Sequence, residues 1–166
     1  MASEPGVSVE TLRNAPQHLD VVVDWVHREW SEYSGRSLLE TRARFHSELY
    51  SPGNETPLPL TLLAMANGAP VGMLSLRETD STNYDPGKTP WICNVYVTPV
   101  ARGLGIARQL CTTVEEHALA LGYRELFLAN AIGPGSLYES IGYRCYGKYA
   151  AHNDQQHLMV KTLRQR

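Results

Sequence analysis

The most informative stretch of this sequence is Val-Tyr-Val-Thr-Pro-Val-Ala-Arg-Gly-Leu-Gly-Ile-Ala at residues 95–107. Strand-forming residues end at Val97, two glycines follow at positions 103 and 105, and an amphipathic helical pattern begins after them. The first turn of a helix exposes backbone amides without intrahelical partners and carries a partial positive charge. Glycine just before that turn lets another group approach the backbone closely. A strand, a glycine turn and a helix in this order therefore predict a site for a phosphate or pyrophosphate.

The spacing of the glycines excludes two common phosphate-binding loops. The segment Gly-Leu-Gly-Ile-Ala-Arg at residues 103–108 lacks the third glycine of a dinucleotide-binding fingerprint, and it lies past the middle of the chain. The sequence also contains no G-x-x-x-x-G-K-[ST] loop. Taken alone, the turn is equally compatible with a role in helix packing only.

The remaining periodicities predict an α/β chain with the order β-α-α-β-β-β-α-β-α-β-β. Asn67-Gly68 between two β-rich runs indicates a hairpin. Ser37 with Glu40 three residues later forms a capping-box pattern, and Ser136 is the predicted N-cap of the last helix. The predicted strands cover residues 8–13, 60–66, 71–77, 91–97, 125–128, 143–150 and 157–161, and the predicted helices cover residues 16–34, 37–50, 105–121 and 136–141.

Length and charge indicate a single globular domain over residues 1–166. The chain is 43% hydrophobic and 19% charged, with a net charge of −2. This composition supplies enough apolar side chains for a core, and it lacks the basic excess typical of proteins that bind nucleic acid or anionic membranes. We find no apolar run of the length that a membrane span needs and no export signal at the start, so we expect a cytoplasmic location.

The cysteine and histidine residues indicate neither a disulfide framework nor a metal site. Cys93, Cys111 and Cys145 are an odd number at wide spacing, and the six histidines have no metal-ligand spacing. We therefore expect the three cysteines to be buried thiols and the protein to carry no metal.

Two motifs together resemble those of the GCN5-related N-acetyltransferase (GNAT) superfamily. Arg102-x-x-Gly105-x-Ala107 matches its Q/R-x-x-G-x-G/A signature, and the segment LYESIGY at residues 137–143 is similar to its later Y-E-x-x-G-F/Y signature. The resemblance implies a central mixed, mostly antiparallel sheet of six or seven strands flanked by about four helices.

The resemblance also implies a set of residues that bind acetyl-coenzyme A as co-substrate, between the fourth and fifth strands. The backbone of Val95, Tyr96 and Val97 would pair with the pantetheine amides like a short added strand. Arg102 would lie near the phosphates or tie the turn together, and Asn130 would contact the cofactor or form a turn. The pyrophosphate would be held by the backbone amides of Gly103, Leu104, Gly105, Ile106, Ala107 and Arg108.

For catalysis, the resemblance assigns two groups and leaves a third open. The Val97 amide would donate to the developing oxyanion, and Tyr138 would be the general acid, although hydrogen bonding to the thiolate or simple packing are alternatives for Tyr138. The fourth strand has no carboxylate to act as the general base. A base from elsewhere, a water chain or an acceptor already poised to lose its proton would then be needed. The polar side chains that could border the acceptor are Glu29, Glu32, Asp80, Asp85, His152 and Asp154.

The resulting interpretation is an N-acetyltransferase that moves acetyl from acetyl-coenzyme A directly to a primary amine of a small molecule, peptide or protein. Two alternatives stay open: an enzyme with another acyl donor or a hydroxyl acceptor, and an inactive coenzyme A-binding sensor or partner domain. The acceptor, the acyl-chain specificity and the oligomeric state are not fixed by the sequence, and a homodimer is common in the family.

Overall fold

The computed structural model describes residues 6–50, 57–80, 84–151 and 154–165. This part of the chain contains seven strands and four α-helices in the predicted order. The strands are β1 (Ser8–Thr11), β2 (Leu60–Ala66), β3 (Ala69–Arg77), β4 (Trp91–Val97), β5 (Glu125–Asn130), β6 (Arg144–Ala151) and β7 (Asp154–Thr162), and the helices are α1 (Leu19–Ser34), α2 (Leu38–Tyr50), α3 (Ile106–Ala120) and α4 (Leu137–Ser140).

The strands form one mixed sheet in the order β1-β2-β3-β4-β5-β7-β6. β4 runs parallel to β5, where Trp91 pairs with Phe127. The pairs β1–β2, β5–β7 and β6–β7 are antiparallel. The predicted fold class, a mixed sheet of six or seven strands with about four helices, is confirmed.

Local sequence signals explain the turns and caps that were predicted. Asn67 and Gly68 both have positive φ, at 52° and 76°, which is the geometry of a two-residue hairpin turn. β3 therefore starts directly at Ala69, two residues before its predicted start. At α2, the Ser37 amide donates to Glu40 Oε2 at 2.7 Å and the Glu40 amide donates to Ser37 Oγ at 3.1 Å, so the capping box is confirmed.

Several predicted boundaries were wrong near the start of the chain. β1 ends at Thr11, because the Thr11 side chain accepts from the Asn14 amide and begins a 3-10 turn over Leu12–Asn14. α1 starts at Leu19, since Pro16–His18 form a second 3-10 turn in front of it. The sequence Ser51-Pro52-Gly53-Asn54 also predicts a break after the second helix, and these residues lie outside the described ones.

The chain divides into two compact units, and the first comprises Met1–Ser75 and Asn94–Cys111. Its core contains one face of α1, including Leu19, Val22 and Val23. Trp25 of α1 packs on Tyr96 of β4, with ring centroids 5.1 Å apart. These contacts hold the end of β4 against a helix and so support the turn that follows it.

The second unit comprises Leu76–Cys93 and Thr112–Arg166, and an aromatic cluster forms part of its core. Trp91, Cys93 and Phe127 are buried in this cluster, with Tyr84 and Tyr146 packed against it. The prediction that all three cysteines are buried was wrong for Cys145, which is exposed. Cys145 lies on β6, the last strand of the sheet, next to a bulge between Cys145 and Gly147.

Candidate active site

The turn between β4 and α3, in the first unit, leaves its backbone open. Gly103 and Gly105 adopt φ of +80° and +77°, a conformation that side chains rarely tolerate. A Cβ atom built on either glycine would meet no atom within 4 Å, and both residues are exposed. The space next to the first amides of α3 is therefore free for another group.

Arg102 fastens this turn to the end of β4. Its Nε donates to the Val97 carbonyl oxygen at 2.9 Å, and its guanidinium lies 5.8 Å from the centroid of the Tyr96 ring. Of the two roles predicted for Arg102, the structure shows the one that ties the turn together.

The position of α3 depends on Gly72, a residue that the sequence analysis missed. A Cβ at Gly72 would lie 3.0 Å from the Tyr96 carbonyl oxygen and 3.2 Å from Ile106 Cγ2, so β3 approaches both β4 and the first residue of α3 closely. Thr98 also pairs with β3, since its amide donates to the Val71 carbonyl oxygen at 2.9 Å. A glycine inside a strand was the available signal for this close approach.

Two of the buried polar atoms that have no hydrogen-bond partner within the described parts of the chain lie at the ends of β4 and β5. One is Thr98 Oγ1, at the end of β4 in the first unit, and the other is Asn130 Nδ2, at the end of β5 in the second unit. Asn130 Oδ1 accepts from the Ile132 amide at 2.9 Å, so the alternative of a turn-forming Asn130 is confirmed. Because a buried unpaired polar group costs about 1–3 kcal/mol, each of these atoms fits a contact to a bound molecule.

Tyr138 lies in the second unit on the short helix α4, whose N-cap is Ser136 as predicted. The Ser136 hydroxyl accepts from the Glu139 amide, and the Tyr138 carbonyl oxygen accepts from the Tyr143 amide at 3.0 Å. The Tyr138 and Tyr143 rings meet edge to face, with centroids 6.2 Å apart. Tyr138 is only half-buried, whereas Tyr143 is buried, so Tyr143 is the packing residue of this pair.

A hydrogen-bonded ion pair supports Tyr143 from α3 and β7. The Tyr143 hydroxyl donates to Glu115 Oε1 at 3.2 Å, and Lys161 Nζ donates to both carboxylate oxygens of Glu115 at 2.9 and 3.0 Å. Lys161 Nζ also lies 5.6 Å from the Tyr143 ring centroid. These contacts fix the corner of the chain that carries Tyr138.

A family model decides the class of the protein. The model described as the acetyltransferase (GNAT) family matches residues 19–143, most of the chain. The chain belongs to the GNAT acetyltransferase family. The predicted recognition is thereby confirmed, and the protein is an acyltransferase.

Solved structures with the same fold include several acetyltransferases. An aminoglycoside 6'-acetyltransferase type Ii is 20% identical, with 96% of this chain and 99% of that chain covered and a TM-score of 0.71. An aminoglycoside 6'-N-acetyltransferase complexed with coenzyme A is 17% identical, with coverage of 96% and 98% and a TM-score of 0.71. A GCN5-related N-acetyltransferase from Rhodopseudomonas palustris is 20% identical, with coverage of 98% of both chains and a TM-score of 0.62. A search of curated proteins gives no significant match.

Five carboxylates and His152 were predicted as possible neighbours of the acceptor. Glu29 and Glu32 are exposed on α1, and Asp154 is exposed at the start of β7. His152 lies outside the described residues. The other two carboxylates, those of Asp80 and Asp85, make contacts in the second unit.

Asp85 accepts a hydrogen bond from the Tyr146 hydroxyl at 3.0 Å. The pKa of Tyr146 is raised, first by burial, then by this hydrogen bond, and then by the negative charges of Asp85 and Glu125. Tyr146 therefore stays protonated and keeps donating, and Asp85 is engaged in holding the loop before β4.

Within the described ranges, no group of three or more His, Cys, Asp or Glu side chains could hold a metal ion. No described helix is long and apolar enough to cross a membrane.

Proposed function

We propose that this GNAT protein is an N-acetyltransferase that transfers acetyl from acetyl-coenzyme A directly to a primary amine of a small molecule, peptide or protein. The observation that carries the proposal is the open glycine turn at the start of α3. Free amides at a helix N-terminus bind anions, and Gly103 and Gly105 leave room for a pyrophosphate beside them. The amides of Leu104, Ile106, Ala107 and Arg108 belong to the same turn and complete the proposed site.

The end of β4 supports the proposed binding of the pantetheine arm. The Thr98 amide donates to a carbonyl oxygen of β3, and the Tyr96 carbonyl oxygen faces Gly72 of the same strand. Since successive residues of a strand direct their backbone groups to opposite edges, the amides of Val95 and Val97 face the edge away from β3. An extended molecule can pair with that edge as an added strand does, and the Val97 amide is the proposed oxyanion donor.

The buried donor Asn130 Nδ2 supports the same assignment. An amide oxygen of the acyl donor would satisfy it, while Asn130 Oδ1 keeps its turn contact. Thr98 Oγ1 is a second such atom, and we add Thr98 to the proposed binding residues.

Tyr138 is the proposed partner of the leaving thiolate. An unperturbed tyrosine has a pKa of about 10 and an alkyl thiol one of about 8.5, so complete proton transfer from tyrosine would be uphill by roughly 2 kcal/mol. A strong hydrogen bond from the Tyr138 hydroxyl to the thiolate therefore serves the reaction as well as complete transfer does.

The proposal can be tested by two measurements on the full chain. The first is a thermal-shift titration with acetyl-coenzyme A, in which ligand at one hundred times Kd adds about 2.7 kcal/mol. For a chain of this size the midpoint should rise by about 5–11 °C. The second is a thiol-release assay over a panel of primary amines and alcohols with acetyl and longer acyl donors, which separates the amine acetyltransferase from the alternative acyl transferases and from an inactive binding domain.

A matched pair of glycine variants tests the turn itself. Gly105→Ala should abolish most of the thermal shift, because the new methyl group enters the space proposed for the pyrophosphate. Gly35, at the end of α1, has a similar φ of +68° and also has open space around it, so Gly35→Ala introduces the same backbone strain elsewhere. Equal donor affinity in the two variants would contradict the proposed pyrophosphate site.

A further inference from the structure

The loop after β3 brings a carboxylate to β4, the strand that has none of its own. Cys93 Sγ donates to Asp80 Oδ2 at 3.4 Å, and both residues lie in the second unit. Asp80 comes three residues after the end of β3, and Cys93 is the third residue of β4. The contact thus places a carboxylate beside β4 two residues before Val95.

The surroundings of this contact favour a reactive carboxylate over a solvated one. Cys93 is 9% exposed and packs with Trp91 and Phe127 in the aromatic cluster, and Asp80 is half-buried. Charges next to an apolar wall interact more strongly than charges in water, because the effective dielectric constant is lower. A cationic amine is therefore attracted to Asp80 more than to an exposed carboxylate such as Glu29.

We propose that Asp80 is the general base of the acyl transfer, in place of the carboxylate that β4 lacks. This proposal rests on the proposed function. Among the other carboxylates considered, Glu29, Glu32 and Asp154 are exposed, and Asp85 accepts from Tyr146, a residue of β6 and not of β4. Asp80 combines partial burial with a direct contact to a β4 side chain.

Asp80 accepts one proton from the acceptor ammonium, and the freed electron pair of nitrogen forms the C–N bond at the thioester carbonyl carbon. The C–S bond breaks and sulfur leaves with the bonding pair beside the Tyr138 hydroxyl. Nitrogen gives up a second proton, the thiolate takes up one proton, and Asp80 returns its own to solvent, so each turnover yields an amide, a free thiol and one proton.

The test is the pH dependence of Asp80→Asn compared with that of the wild-type chain. At pH 7 we expect kcat/KM for an amine to fall by about 100-fold or more, the usual contribution of a general base. The deficit should shrink as the pH approaches the pKa of the amine, about 10.4 for a lysine-like acceptor, because the neutral amine then needs no base. The thermal shift produced by coenzyme A should not change, because the proposal assigns Asp80 to the acceptor amine and not to the donor.

Three further variants separate catalysis from folding. Asp80→Glu should recover part of the activity, and Glu78→Gln, an exposed neighbour in the same loop, should behave as wild type. In the Asp80→Asn background, Cys93→Glu places a carboxylate on β4 at the position that Asp80 now reaches. We expect this double variant to recover activity, with the pH profile of the wild-type chain.

The outcomes discriminate between the two proposals. An active wild-type chain whose kcat/KM is unchanged by Asp80→Asn, or reduced by the same factor at every pH, overturns the assignment of Asp80 and leaves the acetyltransferase intact. A wild-type chain that binds acetyl-coenzyme A but releases no thiol with any acceptor overturns both.

Discussion

The ion pair between Glu115 and Lys161 should determine the stability of the corner that carries Tyr138. Glu115 accepts three hydrogen bonds, two from Lys161 Nζ and one from the Tyr143 hydroxyl. Glu115→Ala removes all three and leaves the hydroxyl of the buried Tyr143 without this acceptor. We therefore predict a large loss of stability. We expect a smaller effect on catalysis, because the hydrogen bond from the Tyr143 amide to the Tyr138 carbonyl oxygen does not involve the Glu115 side chain.

The magnitude follows from the exposure of the two side chains. Removing one partner of a fully buried ion pair costs about 3–5 kcal/mol. The Glu115 side chain is 11% exposed and that of Lys161 is 24% exposed, so the freed ammonium can reach water. The expected loss is at the lower end, about 3 kcal/mol. For a chain of this length that loss lowers the midpoint of thermal unfolding by about 6–12 °C.

Thermal and urea unfolding of Glu115→Ala measure this loss, with Glu116→Ala as the matched control. Glu116 is the next residue of α3 and is exposed, so its substitution should change stability by less than about 0.5 kcal/mol. A double-mutant cycle with Tyr143→Phe should show coupling, because both single changes break the same hydrogen bond.

If Glu115→Ala unfolded within about 2 °C of the Glu116→Ala control, the ion pair would be worth under about 1 kcal/mol, as an exposed pair is, and the predicted loss would be wrong. Additive effects of Glu115→Ala and Tyr143→Phe would likewise show that the hydroxyl and the carboxylate do not act together.

Three further predictions concern the second unit. Gly133→Ala should destabilise the protein by about 2 kcal/mol or more in urea unfolding, because its Cβ would lie 2.4 Å from Cγ of His157. Unchanged stability would mean that the His157 ring moves away freely. Tyr138→Phe should lower kcat in the thiol-release assay with little change in coenzyme A affinity, and an unaltered kcat with rate-limiting chemistry would assign Tyr138 to packing. The raised pKa of Tyr146 means that the unfolded chain loses this proton first as the pH passes about 10, so stability should fall there and Tyr146→Phe should flatten the fall in alkaline urea titrations.

The parts of the fold that the sequence predicted well depend on contacts between near neighbours in the chain. The hairpin needs only positive φ at Asn67 and Gly68, and the capping box joins Ser37 to a residue three positions later. The predicted start of α1 and the predicted end of β1 were wrong because short 3-10 turns occupy both places.

Other features could not be predicted because they depend on which strands become neighbours. Cys145 has an ordinary strand context in the sequence, and its exposure follows from β6 lying last in the sheet order. The ion pair of Glu115 and Lys161 joins residues 46 positions apart, and no local pattern marks it.

The same distinction between local and long-range contacts applies to the candidate site. The glycine turn is a local motif, so the open backbone at Gly103 and Gly105 was expected from sequence. A general base needs only a carboxylate at the right point in space, and a strand residue or a loop residue can equally supply it. The sequence of β4 by itself can reveal only a carboxylate on the strand and not one that a loop supplies. The contact between Asp80 and Cys93 joins residues 13 positions apart, across the loop before β4. The absence of a carboxylate on β4 is therefore no argument for an inactive protein.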